Sequence, residues 1–254
     1  MHKTIKHLCR DGSDTLYSEK FKQHYHNPNG AIAESRHLFF DTPGLQNRLE
    51  KADTYQIFEL GFGTGLNLLL LLEMACKLDP MPVIHYRTVE AFPLTLESVM
   101  KLNYPEKIDL PNTAEILAST FRDLKPGFND FVFKKNIHLE LYYGPFDKMP
   151  APDQKLQSVI FDPFSTEVNP ELWTDNVFRK LISWSNEDVI LSTYGAASSA
   201  RAAMCAAGWC VAKAPGALGK REMTLAARNA KFLSDWKRVD EKKLSARYQR
   251  GEFS

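Results

Sequence analysis

From Tyr55 onward the hydrophobic positions fall into short runs divided by turn signals, and the runs alternate between two periods. Tyr55–Leu60 is a short apolar strand, Gly61–Gly65 a turn, and Leu66–Lys77 is apolar nearly all round, as in a helix buried against a sheet. Pro80 and Pro82 break the chain; Val83–Glu90 then reads as a strand and Leu94–Leu102 as a helix. Ile137–Tyr143 alternates with strand period, and Ser158–Asp162 is a strand that ends in a carboxylate. Pro170–Trp184 opens on proline and carries apolar residues at helical spacing, and Asp188–Tyr194 is a strand. Ala196–Ala207 is an Ala-rich helix stopped by Gly208, and Trp209–Ala214 with Glu222–Ala227 form a closing hairpin. The stretch from about 107 to 135 is weakly patterned and reads as an insertion.

Strands alternating with helices predict an α/β fold with a doubly wound, mostly parallel sheet. Ligands of such sheets bind beyond the carboxyl ends of the strands. The turns after Leu60, Glu90, Tyr143, Asp162 and Tyr194 are therefore expected to share one face. Three parts are expected: an N-terminal extension or lid over 1–53, the main domain over 54–230, and a basic C-terminal tail over 231–254. The extension is polar and aromatic, and its closing half, AIAESRHLFF, has helix-like spacing.

Composition narrows the setting. Of 254 residues, 44% are hydrophobic and 25% charged, an ordinary globular balance. A net charge of +1 supplies no global field for nucleic acid, so such a partner needs a local basic patch. Cys9, Cys76, Cys205 and Cys210 form no CxxC pair, which fits a reducing cytoplasm. The N-terminus shows no apolar leader, and the longest apolar run, Leu68–Leu72, is too short to cross a bilayer, so no membrane association is expected.

The residues able to do chemistry stand at strand ends. FELGFGTGLN, Phe58–Asn67, spaces Gly61, Gly63 and Gly65 as G-x-G-x-G between a strand and a helix. Glycine permits a sharp turn and close backbone approach to a ligand, and the helix start offers free N–H groups. Phosphate is disfavoured: there is no Lys-Ser/Thr pair, the third glycine comes one residue early for a dinucleotide fingerprint, and the acid Glu59 precedes the loop. A carboxylate there suits a cationic ligand such as the amino group of S-adenosylmethionine. Glu90 ends the next strand, where a carboxylate can take both hydroxyls of a ribose.

FDPFSTEVNPELW, Phe161–Trp173, brings Asp162 out of the sheet at the ligand face. When a methyl group passes from a sulfonium to an amine, positive charge moves to nitrogen. A nearby carboxylate stabilises that shift and can accept the departing proton. It also favours the protonated amine, so Asp162 alone does not explain the neutral nucleophile. Phe164 and Trp173 either stack on a planar base or pack the loop. His24 and His26 have no third ligand at useful spacing, so no metal is expected and a structural or substrate-loop role is favoured.

In order and spacing, AIAESRHLFF, GFGTGLNLL, EAFPLT from Glu90, DPFSTEVNPELWT from Asp162, STYGAASSAR and GKREM resemble a known family. It is the bacterial tRNA methyltransferase family that completes 5-methylaminomethyl-2-thiouridine at the wobble position, often fused to a flavin-dependent oxidase that makes the amine. The resemblance runs from about Tyr17 to Arg228. It implies a class I methyltransferase fold and S-adenosyl-L-methionine held around Glu59, Gly61, Phe62, Gly63, Gly65, Asn67 and Glu90. It further implies Asp162 beside the substrate aminomethyl group and N-methylation of 5-aminomethyl-2-thiouridine in tRNA. Where family members often show Gly-Asp, this chain has Gly144, Pro145, Phe146 and Asp147, which makes Gly144 and Asp147 the candidates on the adenine side. Paired arginines after STYGAA are reduced to Arg201.

With no second glycine-rich flavin motif, a stand-alone methyltransferase served by a separate flavin-dependent enzyme is expected. Phe164, Trp173, Arg201, Lys220 and Arg221 are the candidates for substrate and tRNA contact. The tail's Lys237, Arg238, Lys242, Lys243, Arg247 and Arg250 and the hairpin's Lys213 are either phosphate contacts or a solvated surface. A wobble base splayed into an aromatic-lined pocket suits an enzyme that must reach an exocyclic amine. Two other readings compete. One is a methyl- or aminopropyl-transferase acting on a small amine, against which the basic GKRE turn argues. The other is an inactive RNA-binding homologue, against which the intact glycines, Glu90 and Asp162 argue.

Overall fold

The computed structural model describes residues 3–253; Met1, His2 and Ser254, the ends of the expected extension and tail, lie outside them. The N-terminal segment begins with a small antiparallel sheet of β1 (Thr4–Leu8), β2 (Asp14–Ser18) and β3 (Gln23–His24). The helical stretch that follows is in two joined pieces, α1 (Ala31–Ser35) and a wider π-helical turn over Arg36–Asp41, before α2 (Leu45–Leu49).

The main sheet is then built by β4 (Thr54–Leu60), α3 (Leu66–Ala75), β5 (Val83–Glu90), α4 (Leu96–Val99), α5 (Tyr104–Lys107) and α6 (Thr113–Phe121). Next come β6 (Gly127–Phe133), β7 (Ile137–Tyr143), β8 (Leu156–Phe161), α7 (Asp175–Trp184) and β9 (Ser185–Thr193). The chain closes with α8 (Ser198–Ala206), β10 (Cys210–Pro215), β11 (Glu222–Ala227), β12 (Lys237–Arg238) and α9 (Glu241–Gln249).

Nine strands pair in the order β12-β10-β11-β9-β8-β4-β5-β7-β6. β7, β5, β4, β8 and β9 are mutually parallel; β11 runs antiparallel between β9 and β10, and β6 and β12 are antiparallel edges. This is the expected α/β doubly wound, mostly parallel sheet with a closing hairpin. The reversal point lies between β4 and β8, where chain connections diverge to opposite sides and leave a crevice for ligand.

Alternation along β4 supplies both faces. Tyr55 and Ile57 join the core with α3 and the N-terminal segment, whereas Phe58 and Leu60 join the core with α7 and α8. The all-round apolarity of α3 follows from this arrangement: Leu38, Phe39, Phe40 and Leu49 of the N-terminal segment share its core, so α3 is enclosed on both sides.

Three expectations are sharpened. The weakly patterned stretch from 107 to 135 holds regular structure, α6 and the edge strand β6, whose Phe128, Asp130 and Val132 face solvent and blur the apolar signal. The helix expected from Pro170 is split. Pro170–Leu172 is a 3-10 turn, and α7 begins only after the extended Thr174, whose hydroxyl accepts from the Val177 N–H. The stretch after 230 is folded rather than a trailing tail: β12 pairs with β10, and Leu244 and Tyr248 of α9 pack on the core beside α8. Among the described residues, no helix is long and apolar enough to cross a membrane.

Candidate functional site

The carboxyl ends of β4, β5, β7, β8 and β9 open into one cavity of about 780 Å³. Gly61 and Gly63, Glu90, Gly144, Asp162 and Tyr194 all line it, so the five strand-end turns share a face as expected. A volume of this order accommodates a nucleoside cofactor together with part of a second substrate.

Two glycines show why the first turn needs them. Gly61 has φ +94°, and a Cβ there would stand 2.7 Å from the carbonyl oxygen of Asp162, so the two chemistry-bearing loops touch only because a side chain is absent. Gly63 has φ +53°, and a Cβ there would come within 3.2 Å of the Tyr25 ring. Its N–H donates to Glu90 Oε2 at 2.9 Å, while the Phe92 N–H donates to Oε1 at 2.8 Å. The Glu90 carboxylate is thereby fixed in orientation and keeps lone pairs for hydroxyl donors from the cavity. Burial pushes its pKa up, and the backbone donors pull it down.

Asp162 is half-buried on the cavity wall. Burial pushes its carboxyl well above the usual range; Glu59 and Glu34 push the same way, and Asn67 and Lys220 oppose them. Asn67 Nδ2 donates to Glu59 Oε1 at 2.9 Å and reaches Asp162 Oδ2 at 3.5 Å, tying the glycine loop to the DPF loop. Thr88 donates to Glu59 Oε2 at 2.9 Å, and burial still raises the Glu59 carboxyl to about 7.

The remaining sequence candidates separate into cavity and scaffold. Glu59 is 1% exposed, and with Phe62, Gly65 and Asn67 it lies behind the cavity wall rather than on it. Phe62 stacks on Phe121, and a Cβ at Gly65 would press on both rings, so these two residues serve α3–α6 packing. Both Glu59 oxygens accept from neighbours within the fold, Asn67 and Thr88, beneath the glycine loop. Trp173 is 5% exposed, packs edge-on against Phe161, and donates its indole N–H to the Phe164 carbonyl; it props the loop and is not a free stacking surface. Arg201 is 4% exposed, with its guanidinium bonded to Thr224, Glu222 and the Met223 carbonyl, so it pins the hairpin and is not available to phosphate. Phe164 and Lys220 line the cavity, Asp147 stands exposed at its rim, and Arg221 is exposed on the hairpin turn.

Several wall residues were not among the candidates named from the sequence. Phe21 and Tyr25 of the N-terminal segment pack on Phe164 with ring centres 4.8 and 5.1 Å away, and Phe21 also meets Phe92, which roofs the cavity with aromatic rings. Lys180 of α7 donates to the carbonyls of Phe146, Asp147 and Met149, which fixes the loop after Gly144. Glu34, within AIAESRHLFF, also reaches the wall. Among the described residues no His/Cys/Asp/Glu group is arranged to hold a metal; His26 is half-buried, and desolvation lowers its pKa to about 4.

Comparisons with known proteins agree with this fold. The profile of a family described as S-adenosyl-L-methionine-dependent methyltransferase matches residues 109–229. The chain is 33% identical over 216 residues to the tRNA 5-methylaminomethyl-2-thiouridine biosynthesis bifunctional protein MnmC of Leptospira borgpetersenii, covering 82% of this chain and 33% of that protein. It is 33% identical over 235 residues to the protein of the same name from Cupriavidus metallidurans, covering 91% of this chain and 34% of that one. The chain thus spans about a third of the length of the curated relatives it matches. The crystal structure of MNMC2 from Aquifex aeolicus superposes with a TM-score of 0.72 at 20% identity, covering 90% of this chain and 71% of that chain, and shares its fold.

Proposed function

The chain belongs to the S-adenosyl-L-methionine-dependent methyltransferase family represented in those bifunctional proteins, and from this premise we propose that it methylates the amine of 5-aminomethyl-2-thiouridine at the tRNA wobble position. The observation that carries the proposal is the meeting of Glu90, held by the Gly63 N–H, and Asp162, held against Gly61, in one cavity under an aromatic roof.

These residues fit the cofactor. Glu90 presents an oriented carboxylate to ribose hydroxyls, Gly63 leaves the loop surface open, and the loop from Gly144 to Asp147, pinned by Lys180, offers a place for the adenine. When bound, S-adenosylmethionine supplies an electrophilic methyl group whose bonding pair returns to sulfur as the amine nitrogen attacks. Asp162 orients the amine and takes up the proton that nitrogen sheds. A carboxyl raised by burial is a stronger proton acceptor once ionised, which suits that task. The roof of Phe21, Tyr25, Phe92 and Phe164 excludes water and gives a splayed base a surface to stack on. A separate flavin-dependent enzyme supplies the amine in this reading, and the reaction takes place in the cytoplasm, with tRNA as partner.

Purified protein, S-adenosylmethionine and aminomethyl-bearing tRNA should yield 5-methylaminomethyl-2-thiouridine on nucleoside mass analysis, with putrescine left unmethylated. Methylation of putrescine and not of tRNA would replace this reading with the small-amine one.

A further inference from the structure

Glu34 and Lys220 meet at the acceptor end of the cavity from opposite parts of the chain. Glu34 is 7% exposed, and its carboxylate accepts from the Asn27 backbone N–H and side-chain amide at 3.0 and 3.2 Å. Lys220, in the turn between β10 and β11, donates to Glu34 at 2.8 Å, and its ammonium stands 5.2 Å from the centre of the Tyr194 ring. Tyr194 donates to the carbonyl of Pro163, at 2.7 Å, next to Asp162. Glu34, Lys220, Tyr194 and Asp162 all line the same cavity.

An amine nucleophile must be neutral when it attacks, and carboxylates around it hold it protonated. Asp162 and Glu34 together would do so strongly. We propose that Lys220 is a positioning residue that neutralises Glu34, so that the acceptor amine meets one net negative charge, at Asp162, and can give up its proton near neutral pH. The inference rests on the wobble-amine reading above.

The other titratable groups at this corner do not supply that cation. His24 and His26 are kept neutral by burial, Tyr194 is held in its phenol form, and Glu59 behind Asp162 adds only negative charge when ionised. Among the described residues lining the cavity, the other lysine, Lys180, is spent on three carbonyls.

The test is the single-turnover methyl-transfer rate to aminomethyl-bearing tRNA, with cofactor saturating, followed from neutral to alkaline pH. In Lys220→Met the rising limb should move up by about one pH unit, a loss of about tenfold at neutral pH that is recovered at high pH. Lys220→Arg keeps the charge and should keep the wild-type limb. The double variant Glu34→Gln/Lys220→Met removes both charges and should return the limb towards wild type. A Lys220→Met rate that falls equally at all pH values, or a double variant that stays shifted, overturns the inference while leaving the functional reading intact. A wild-type protein that transfers no methyl to this tRNA overturns both.

Discussion

Glu59 sets a pH dependence that can be read directly. Its carboxyl titrates at about 7 in the fold against 4.5 for the free side chain. Over that window the native state binds a proton that the unfolded chain has lost, so stability is greatest below the lower value and falls as pH rises towards the upper one. The group accounts for roughly 3 kcal/mol of that loss. Asp162 and Glu90 are raised by burial and act with the same sign. Urea denaturation at about pH 5 and about pH 8 should show the fall, and Glu59→Gln should shrink it; an unchanged slope would remove Glu59 from the account. At this scale the sequence showed which side chains reach the cavity better than what they touch. Glu90 and Asp162 were legible because each ends a strand at the ligand face. The partners of Arg201 and Trp173 were not legible: Glu222 and Thr224 for one and Phe161 for the other are distant in sequence and meet them only after folding.

Elements with a clean period were legible almost to the residue, as with Val83–Glu90 and Ile137–Tyr143. Those at sheet edges were not. β6 has one face in water, and β12 is two residues long, so neither has enough apolar alternation to stand out. α3 and α8 hinted at the missing pieces: one is Leu-rich all round because the N-terminal segment covers it, and the other is Ala-rich because α9 packs close beside it. The glycine turn between β4 and α3 carries its own prediction. In Gly63→Val the side chain must adopt φ +53° and displace Tyr25, which costs about 1–2 kcal/mol from the backbone alone and pushes the loop into the cofactor half. Calorimetry should find cofactor binding abolished with the protein still folded; normal affinity would contradict the assignment.

For the whole molecule, the sheet reversal makes the crevice and the N-terminal segment roofs it, so the cavity belongs to both. That roof could not be foreseen in detail, because the positions of Phe21 and Tyr25 depend on the small β1–β3 sheet docking over the strand ends. The proposed function divides this single cavity, with Glu90 on the cofactor side and Asp162 on the acceptor side. The most direct measurement pairs S-adenosylmethionine affinity with single-turnover methyl transfer in Glu90→Ala and Asp162→Ala. Glu90→Ala should weaken cofactor binding by at least about tenfold, as the loss of a charged acceptor for hydroxyls implies. Asp162→Ala should bind cofactor within about twofold of wild type and lose about 10²–10⁴ of the transfer rate. Loss of cofactor affinity in Asp162→Ala equal to that in Glu90→Ala, or full turnover without Asp162, would contradict the division.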